Sequence, residues 1–372
     1  MKVLIAGGGT ACHINPGIAI AKYIKQKEPD TEIMFIGTQR GLEMKLVPIE
    51  GFLLRTIKVK GFKRKLSVDT IIAVKELFQG LAEARKVIKE FKPDFVIGTG
   101  GYVCGPVIFM ASRMKIPTVI HESNAFPGVT NKILSRFTDA VAISFEESLK
   151  YLKSSKKVVL TGNPIRVELL QTDKEKARRK LGIDAITKVV VIVGGSLGAA
   201  KINKAVVEML CDYYKSKDFK IIFATGQAQY DSIIEELGNK KPVSAEVVPY
   251  IYDAAAVYSA ADLIVCRAGA ITSSEITALG LPSVLIPSPY VTANHQEYNA
   301  RAVESKGGAV LLLEKDLNGE VLYKTIIDLV NNKEKLDKMS ENAKRIGIKN
   351  ATEIIYSLIA DIRETRKKIS GK

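Results

Sequence analysis

Short runs of β-branched and aliphatic residues alternate with helix-length segments along almost the whole chain. This alternation restricts it to an α/β architecture with parallel sheets. In the first half the strand-like runs are Lys2–Ala6, Glu32–Ile36, Phe95–Ile97, Thr118–Ile120 and Ala140–Ile143. In the second half they are Val189–Val193, Lys220–Ala224, Ala245–Val248, Leu263–Val265, Ser283–Ile286 and Ala309–Leu312. The first run of each half feeds a glycine loop, GGGT after Ile5 and GGSLGA after Val193. Between the halves, Gly162, Asn163 and Pro164 break regular structure and a charged stretch follows. The expected organisation is one domain over 1–162, a second over 163–350, and an amphipathic helix over 351–372 that packs back toward the first. Two doubly wound domains, each with a phosphate-type loop, predict a ligand in a cleft between them, at the carboxyl ends of the strands.

Composition narrows the function classes. Residues are 47% hydrophobic and 26% charged, as in a globular protein with full cores, and no apolar run approaches the roughly 20 residues of a membrane helix. The opening MKVLIAGGGT reads as strand and loop rather than as a signal peptide. Cys12, Cys104, Cys211 and Cys266 are far apart, which points to reduced thiols rather than a disulfide framework or a zinc site. The net charge of +15 favours anionic partners. Lys58, Lys60, Lys63, Arg64 and Lys65 form a basic run before Ser67–Glu90, where Ile71, Ile72, Val74, Leu77, Phe78 and Leu81 fall at helical spacing. A solvated loop before a core helix accounts for this pattern, and so does a face that docks on anionic lipid. With no nucleic-acid motif, no Trp and 7% aromatic residues, nucleic acid is not an expected partner.

The chain has three histidines, each in a loop-like setting at the end of an apolar run: His13 in GGGTACHINPG, His121 in VIHESNAFPG and His295 in VTANHQEYNA. Imidazole exchanges protons near neutrality, so this placement suggests a site. GGSLGA leads into a helix start, where backbone amides and the helix N-terminus suit a diphosphate and Ser196 adds a hydroxyl. Glycines at such a turn also serve simply to allow the bend. The segment Thr99–Pro106, with Gly100, Gly101 and Tyr102, is a third loop of this kind. In CRAGAITSSEITALGLP a strand passes into a helix whose first turns carry Ala270, Ile271, Thr272, Ser273, Ser274 and Glu275. Capping explains Ser and Thr there, and a carboxylate also suits the two hydroxyls of a ribose. No GxGxxG with a following acid, no metal-ligand spacing and no Asp-x-Asp occur, so dinucleotide and metal readings are disfavoured.

In this order, GGTACH (Gly8–His13), GGYVCGP (Gly100–Pro106), HESN (His121–Asn124), GNPIR (Gly162–Arg166), GGSLGA (Gly194–Ala199), RAGAITSSE (Arg267–Glu275) and NHQEYNA (Asn294–Ala300) resemble the MurG family of inverting glycosyltransferases. The resemblance runs over nearly the whole chain. It implies two Rossmann-like domains facing across a cleft, the GT-B fold. It also implies transfer of N-acetylglucosamine from UDP-GlcNAc to lipid I, giving lipid II for peptidoglycan at the anionic cytoplasmic face of the membrane, where the enzyme is peripheral. UDP-GlcNAc is then a substrate, and no cofactor or metal is implied. Oligomeric state is left open.

Carried over by position, Ile251 would meet uracil and Glu275 the ribose. Ser196 and the amides of Ala270, Ile271, Thr272, Ser273 and Ser274 would face the diphosphate, with Arg166 nearby. Gln296, beside His295, would contact the sugar or the uridine. Thr10, Ala11, Cys12 and Asn124 would line the sugar and acceptor side, and the loops at Gly9 and at Gly100, Gly101 and Tyr102 would receive the lipid diphosphate. His13 is the implied base, with Glu122 or His121 as orienters or alternatives. The family's TGGH stands here as Thr10-Ala11-Cys12-His13. If either altered position needs a positive φ, its Cβ adds roughly 1 kcal/mol or more of strain. Leu197 and Ser123 each stand where the family has Gln. The rival readings are a UDP-sugar transferase acting on another lipid carrier, a UDP-sugar-binding protein without transfer activity, and, from the fold alone, a UDP-sugar epimerase.

Overall fold

The structure is a computed structural model that describes residues 1–59, 68–152, 155–195, 198–214 and 219–370, and side chains of all these except 68–75 and 369–370. The chain forms two units, one of Met1–Ile165 with Asn350–Lys372 and the other of Arg166–Lys349.

The first unit is a parallel sheet of β1 (Lys2–Gly7), β2 (Glu32–Gly37), β3 (Leu53–Thr56), β4 (Phe95–Gly100), β5 (Thr118–Glu122), β6 (Ala140–Ile143) and β7 (Val158–Leu160), ordered β3-β2-β1-β4-β5-β6-β7. Ile5 lies opposite Phe35 on one side and Ile97 on the other. Both faces are covered, which is why the central strands are apolar at almost every position rather than alternating. Val3 and Ile5 pack on the helix Ala11–Lys27 and on Ile355, Leu358 and Ile359 of the C-terminal helix Ala351–Ser370. Leu4 and Ala6 face Ala84 and Ile88 of the helix Val68–Phe91 and Val107 and Ile108 of the helix Cys104–Arg113. Each such buried valine, leucine or isoleucine contributes about 1.5–3 kcal/mol. At the rim, Glu28 accepts hydrogen bonds from the Tyr356 hydroxyl at 2.9 Å and from Arg363 at 3.0 Å.

The second unit is a parallel sheet of β8 (Lys188–Val193), β9 (Phe219–Ala224), β10 (Ala245–Val248), β11 (Leu263–Cys266), β12 (Ser283–Leu285) and β13 (Ala309–Leu311), ordered β10-β9-β8-β11-β12-β13. Its first strand is anchored by Asp262, which accepts the Val189 amide at 2.8 Å and pairs with buried Arg178 at 2.7 Å. Because Arg178 also donates to the carbonyls of Ala260, Asp184 and Ala185, the buried charge pair is fully hydrogen-bonded.

Two strands escape the sequence pattern, β3 and β7. Both are short sheet edges with exposed positions, so neither carries the continuous apolar signature of the central strands. The loop settings expected for the histidines are also corrected. His13 lies in the first turn of a helix, His121 lies inside β5, and His295 opens the helix His295–Glu304. Of the basic run, Lys58 is exposed, while Lys60, Lys63, Arg64 and Lys65 lie outside the described residues. No helix among the described residues is long and apolar enough to cross a membrane.

The altered glycine positions raise no strain. Ala11 and Cys12 are the first two residues of the helix Ala11–Lys27, and the positive φ in this loop, +87°, is confined to Gly9. Glycine in a helix is entropically unfavourable. The double substitution Ala11→Gly, Cys12→Gly is therefore expected to lower stability in urea denaturation by about 1 kcal/mol. A gain in stability would show that a strained backbone had been relieved.

Candidate functional site

In each sheet the strand order reverses between two neighbours, β1 with β4 and β8 with β11. Connections leave these pairs toward opposite faces, so their carboxyl ends open into a crevice where ligands of doubly wound sheets bind. All the glycine loops singled out in the sequence emerge at these ends.

In the first unit Gly7 pairs with Gly100, and the Gly8 amide donates to the Gly100 carbonyl at 3.3 Å. Gly100 has φ of +119°, and a Cβ there would come within 2.2 Å of His13 Nδ1. Gly101 has φ of +83°, and a Cβ there would come within 2.3 Å of the Gly8 carbonyl oxygen. The Thr99 hydroxyl donates to the His13 carbonyl at 2.7 Å. The imidazole of His13 is therefore seated directly on glycine backbone. Beneath the loop, fully buried Glu43 accepts from the Gly9 amide at 2.9 Å and from the Thr38 amide and hydroxyl at 2.7 and 2.8 Å. Burial raises its pKa, but these hydrogen bonds outweigh burial and hold the carboxyl below the usual range.

The Gly9 amide donates to Glu43 and the Gly100 amide to Cys104 Sγ at 3.1 Å. Gly101 and exposed Tyr102 remain at the mouth of that loop. Thr10 and Cys12 are exposed, with Thr10 Oγ1 2.9 Å from Cys12 Sγ, and Ala11 is half-buried between them.

His121 and Glu122 face inward. His121 Nε2 lies 3.2 Å from the Gly162 carbonyl and 3.1 Å from Ser144 Oγ, and burial pushes its pKa down to about 4. Glu122, also buried, accepts from the Asn124 amide at 2.9 Å, the Gly128 amide at 3.0 Å and Asn131 Nδ2 at 2.8 Å. Burial raises its pKa and the hydrogen bonds oppose the rise. Such a carboxylate shapes the turn Asn124–Gly128.

In the second unit, Arg166, Val193, Gly195, Ala224, Ile251, Thr272 and Glu275 surround a cavity of about 140 Å³. Glu275 sits on the helix Ala270–Leu279 with its side chain 5% exposed, and Arg166 lies over it at 51%. Arg166 Nε donates to Oε1 at 2.7 Å and Nη2 to Oε2 at 2.9 Å. A second cavity of about 800 Å³ lies among Gly194, Gly198, Lys201, Arg267, Ser288 and Gln296. Arg267 borders both cavities; it donates to the Ile286 carbonyl at 3.2 Å and is ion-paired with Glu314. Gln296 is held by the Ser288 amide at 2.9 Å, and His295 Nδ1 lies 2.8 Å from the Thr292 carbonyl. The turn before them places Ala293 and Asn294 at φ of +54°, a strained backbone of the kind that collects at functional sites. The Ser273 amide donates to the Gly269 carbonyl at 2.8 Å, at the start of the helix that carries Ala270, Ile271, Thr272 and Ser274. Ser196 and Leu197 lie outside the described residues. No three or more His, Cys, Asp or Glu converge as a metal site among the described residues.

Residues 3–143 match the glycosyltransferase family 28 N-terminal domain, and residues 189–355 match its C-terminal domain. The UDP-N-acetylglucosamine–N-acetylmuramyl-(pentapeptide) pyrophosphoryl-undecaprenol N-acetylglucosamine transferase of Acetivibrio thermocellus is 63% identical over 98% of this chain and 99% of its own. The transferase of the same name from Ruminiclostridium cellulolyticum is 57% identical over 97% of this chain and 100% of its own. The chain belongs to the MurG family. The crystal structure of MurG from Acinetobacter baumannii, 30% identical, superposes with a TM-score of 0.81 over 97% of this chain and 99% of that one. Both sheets are thus those of the GT-B glycosyltransferase fold, and the chain is a sugar-nucleotide-dependent hexosyltransferase.

Three residues that the sequence does not single out, Glu43, Arg267 and Lys201, lie beside these loops and cavities. Arg267 opens the RAGAITSSE segment and Lys201 follows GGSLGA, so their places were visible. Glu43 reaches its loop from 34 residues away, and nothing local signals it.

The depressed pKa of His121 sets a pH dependence. The folded state favours neutral imidazole, so the unfolded chain takes up the proton first as pH falls below its ordinary value of 6.5. Stability is complete above that pH and falls by up to about 3 kcal/mol toward pH 4. His121→Gln is expected to flatten this part of the stability curve in denaturant titrations across that range. An unchanged acid slope would place the sensitivity elsewhere.

Proposed function

We propose that this chain transfers N-acetylglucosamine from UDP-GlcNAc to the C4 hydroxyl of N-acetylmuramic acid in lipid I, forming lipid II for peptidoglycan synthesis. The observation that carries this reading is end-to-end similarity to transferases of that name, at 63% identity for the Acetivibrio thermocellus protein. The site chemistry supports it. A buried carboxylate, Glu275, stands at a cavity lined by the ends of β8, β9 and β11, suited to the two hydroxyls of a ribose, with Ile251 on the same wall for uracil. The helix start from Ala270 to Thr272, Ser274 beyond it, Ser196 and Arg166 serve the diphosphate, where partial positive charge at a helix N-terminus favours an anion. Gln296, fixed by Ser288, and His295 serve the sugar side.

In the reaction the acceptor oxygen forms a bond to the anomeric carbon as the bond from that carbon to the diphosphate oxygen breaks. The configuration inverts and UDP leaves with the electron pair. The proton of the attacking hydroxyl passes to His13, whose ring is fixed on Gly100. Positive groups at the departing diphosphate stabilise the developing charge without requiring a metal. Thr10, Ala11, Cys12, Gly101, Tyr102 and Asn124 belong to the sugar and acceptor side. Glu122 and His121 position the adjoining turn and strand rather than exchange the proton. The enzyme is peripheral on the anionic cytoplasmic membrane face, in keeping with its net charge of +15.

Purified protein given UDP-GlcNAc and lipid I is expected to yield lipid II, and binding of UDP-GlcNAc without transfer would favour a non-catalytic binder. Glu275→Ala is expected to raise KM for UDP-GlcNAc about ten- to a hundredfold, the loss of hydrogen bonds to a charged group. Unaltered donor kinetics would remove Glu275 from the ribose. His13→Ala is expected to lower kcat about 10²–10⁴-fold with a smaller change in KM. The reverse pattern would make His13 a binding group.

A further inference from the structure

The carboxylate assigned to the ribose is already occupied. Both Glu275 oxygens accept from one guanidinium, Nε on Oε1 and Nη2 on Oε2, at 2.7 and 2.9 Å. This is the bidentate geometry in which arginine holds a carboxylate most strongly. It is also the geometry a vicinal diol requires, since two hydroxyls of a ribose reach the same two oxygens side by side. Exposure shows which group lies outside. Glu275 is 5% exposed and Arg166 51%, so the guanidinium covers the outward edge of the carboxylate. The cavity over which they meet holds about 140 Å³, less than the roughly 300–1,000 Å³ of small-molecule sites, and Arg166 is one of its walls.

We infer that Arg166 is a specificity-determining residue that makes the diphosphate a condition of ribose recognition: it covers Glu275 until an anionic group on the same ligand draws the guanidinium away. This rests on the assignment of Glu275 to the ribose. A nucleoside has the diol but nothing to offer Arg166, so it must break a charge-assisted pair without replacing it. A nucleoside diphosphate exchanges one anionic partner of Arg166 for another, and the freed carboxylate takes the diol. The covered form lowers the apparent affinity for any ligand that cannot move the arginine, in proportion to the fraction of molecules left uncovered. The site thus rejects uridine while accepting UDP, although both share every contact to base and ribose.

The test is calorimetric binding of uridine, 2′,3′-dideoxyuridine and UDP to the wild-type protein and to Arg166→Gln, Arg166→Lys and Glu275→Gln. In Arg166→Gln, uridine is expected to bind about fivefold or more tightly, the lower end of ordinary coupling between sites, while UDP binds more weakly. The gain should be absent for 2′,3′-dideoxyuridine, because it comes from the diol. Arg166→Lys keeps the charge but cannot cover both oxygens, so it should gain for uridine and lose less for UDP, and it serves if the glutamine variant is unstable. Uridine binding that is unchanged or weaker in both Arg166 variants overturns the inference, as does UDP binding unaltered in Arg166→Gln. Glu275→Gln separates the two readings. If it weakens uridine and UDP alike, the ribose assignment stands whatever Arg166 does; if it changes neither, the ribose assignment itself falls.

Discussion

Each sheet reverses its winding at one pair of neighbouring strands, and the reversal fixes where this chain can do chemistry. β1 with β4, and β8 with β11, end side by side while their following segments depart toward opposite faces. In the first unit the gap is filled by glycine backbone, because there is no room for more: side chains at Gly100 and Gly101 would strike His13 and the Gly8 carbonyl. In the second, Gly194 and Gly195 follow β8, and Gly269 caps the helix after β11. Helix starts and loop backbone are gathered at the same ends as a result, and the side chains assigned to donor and acceptor are drawn from residues next to them.

Two buried carboxylates, Glu43 and Glu122, then hold irregular backbone in place, and a third, Glu275, has a different kind of partner. Glu43 is bound by two amides and a hydroxyl, and Glu122 by two amides and two asparagine side chains. Those partners belong to the fold and cannot leave without unfolding a loop. Glu275 is held by a half-exposed arginine, a group on a flexible stem with solvent on its other side. A buried charge must be paired, and of these three only Glu275 is paired with another charge, on a half-exposed side chain. The same physical demand yields two fixed staples and one exchangeable contact.

The central strands and the glycine loops were legible in the sequence because both are local. Strands buried on two faces need continuous apolar runs, and bends at crowded strand ends need residues without a Cβ. The edge strands β3 and β7 were not legible, since a half-exposed edge of three or four residues has no such requirement. In the sequence His121 looks like a loop residue because Gly, Pro and Asn follow it closely, yet it lies inside β5, its ring satisfied by Gly162 and Ser144 from elsewhere in the chain. Glu43 was missed for the same reason. Its meaning lies in a contact with Gly9 that no local pattern encodes, just as the pairing of Arg166 with Glu275 spans 109 residues.

The loop at Gly8–His13 shows how form and chemistry separate at one site. Its shape is set by Gly9 at positive φ, by Glu43 beneath it and by Gly100 against His13, and all three constraints lie away from positions 11 and 12. Ala11 and Cys12 begin the helix with ordinary right-handed backbone, where a Cβ is favourable and glycine is not. Their side chains therefore change the surface of the loop without changing its path. A departure from the family pattern that reads as damage in the sequence is, in the fold, confined to two side chains at a helix start. Variation at these two positions leaves the loop intact because its shape is set by other residues.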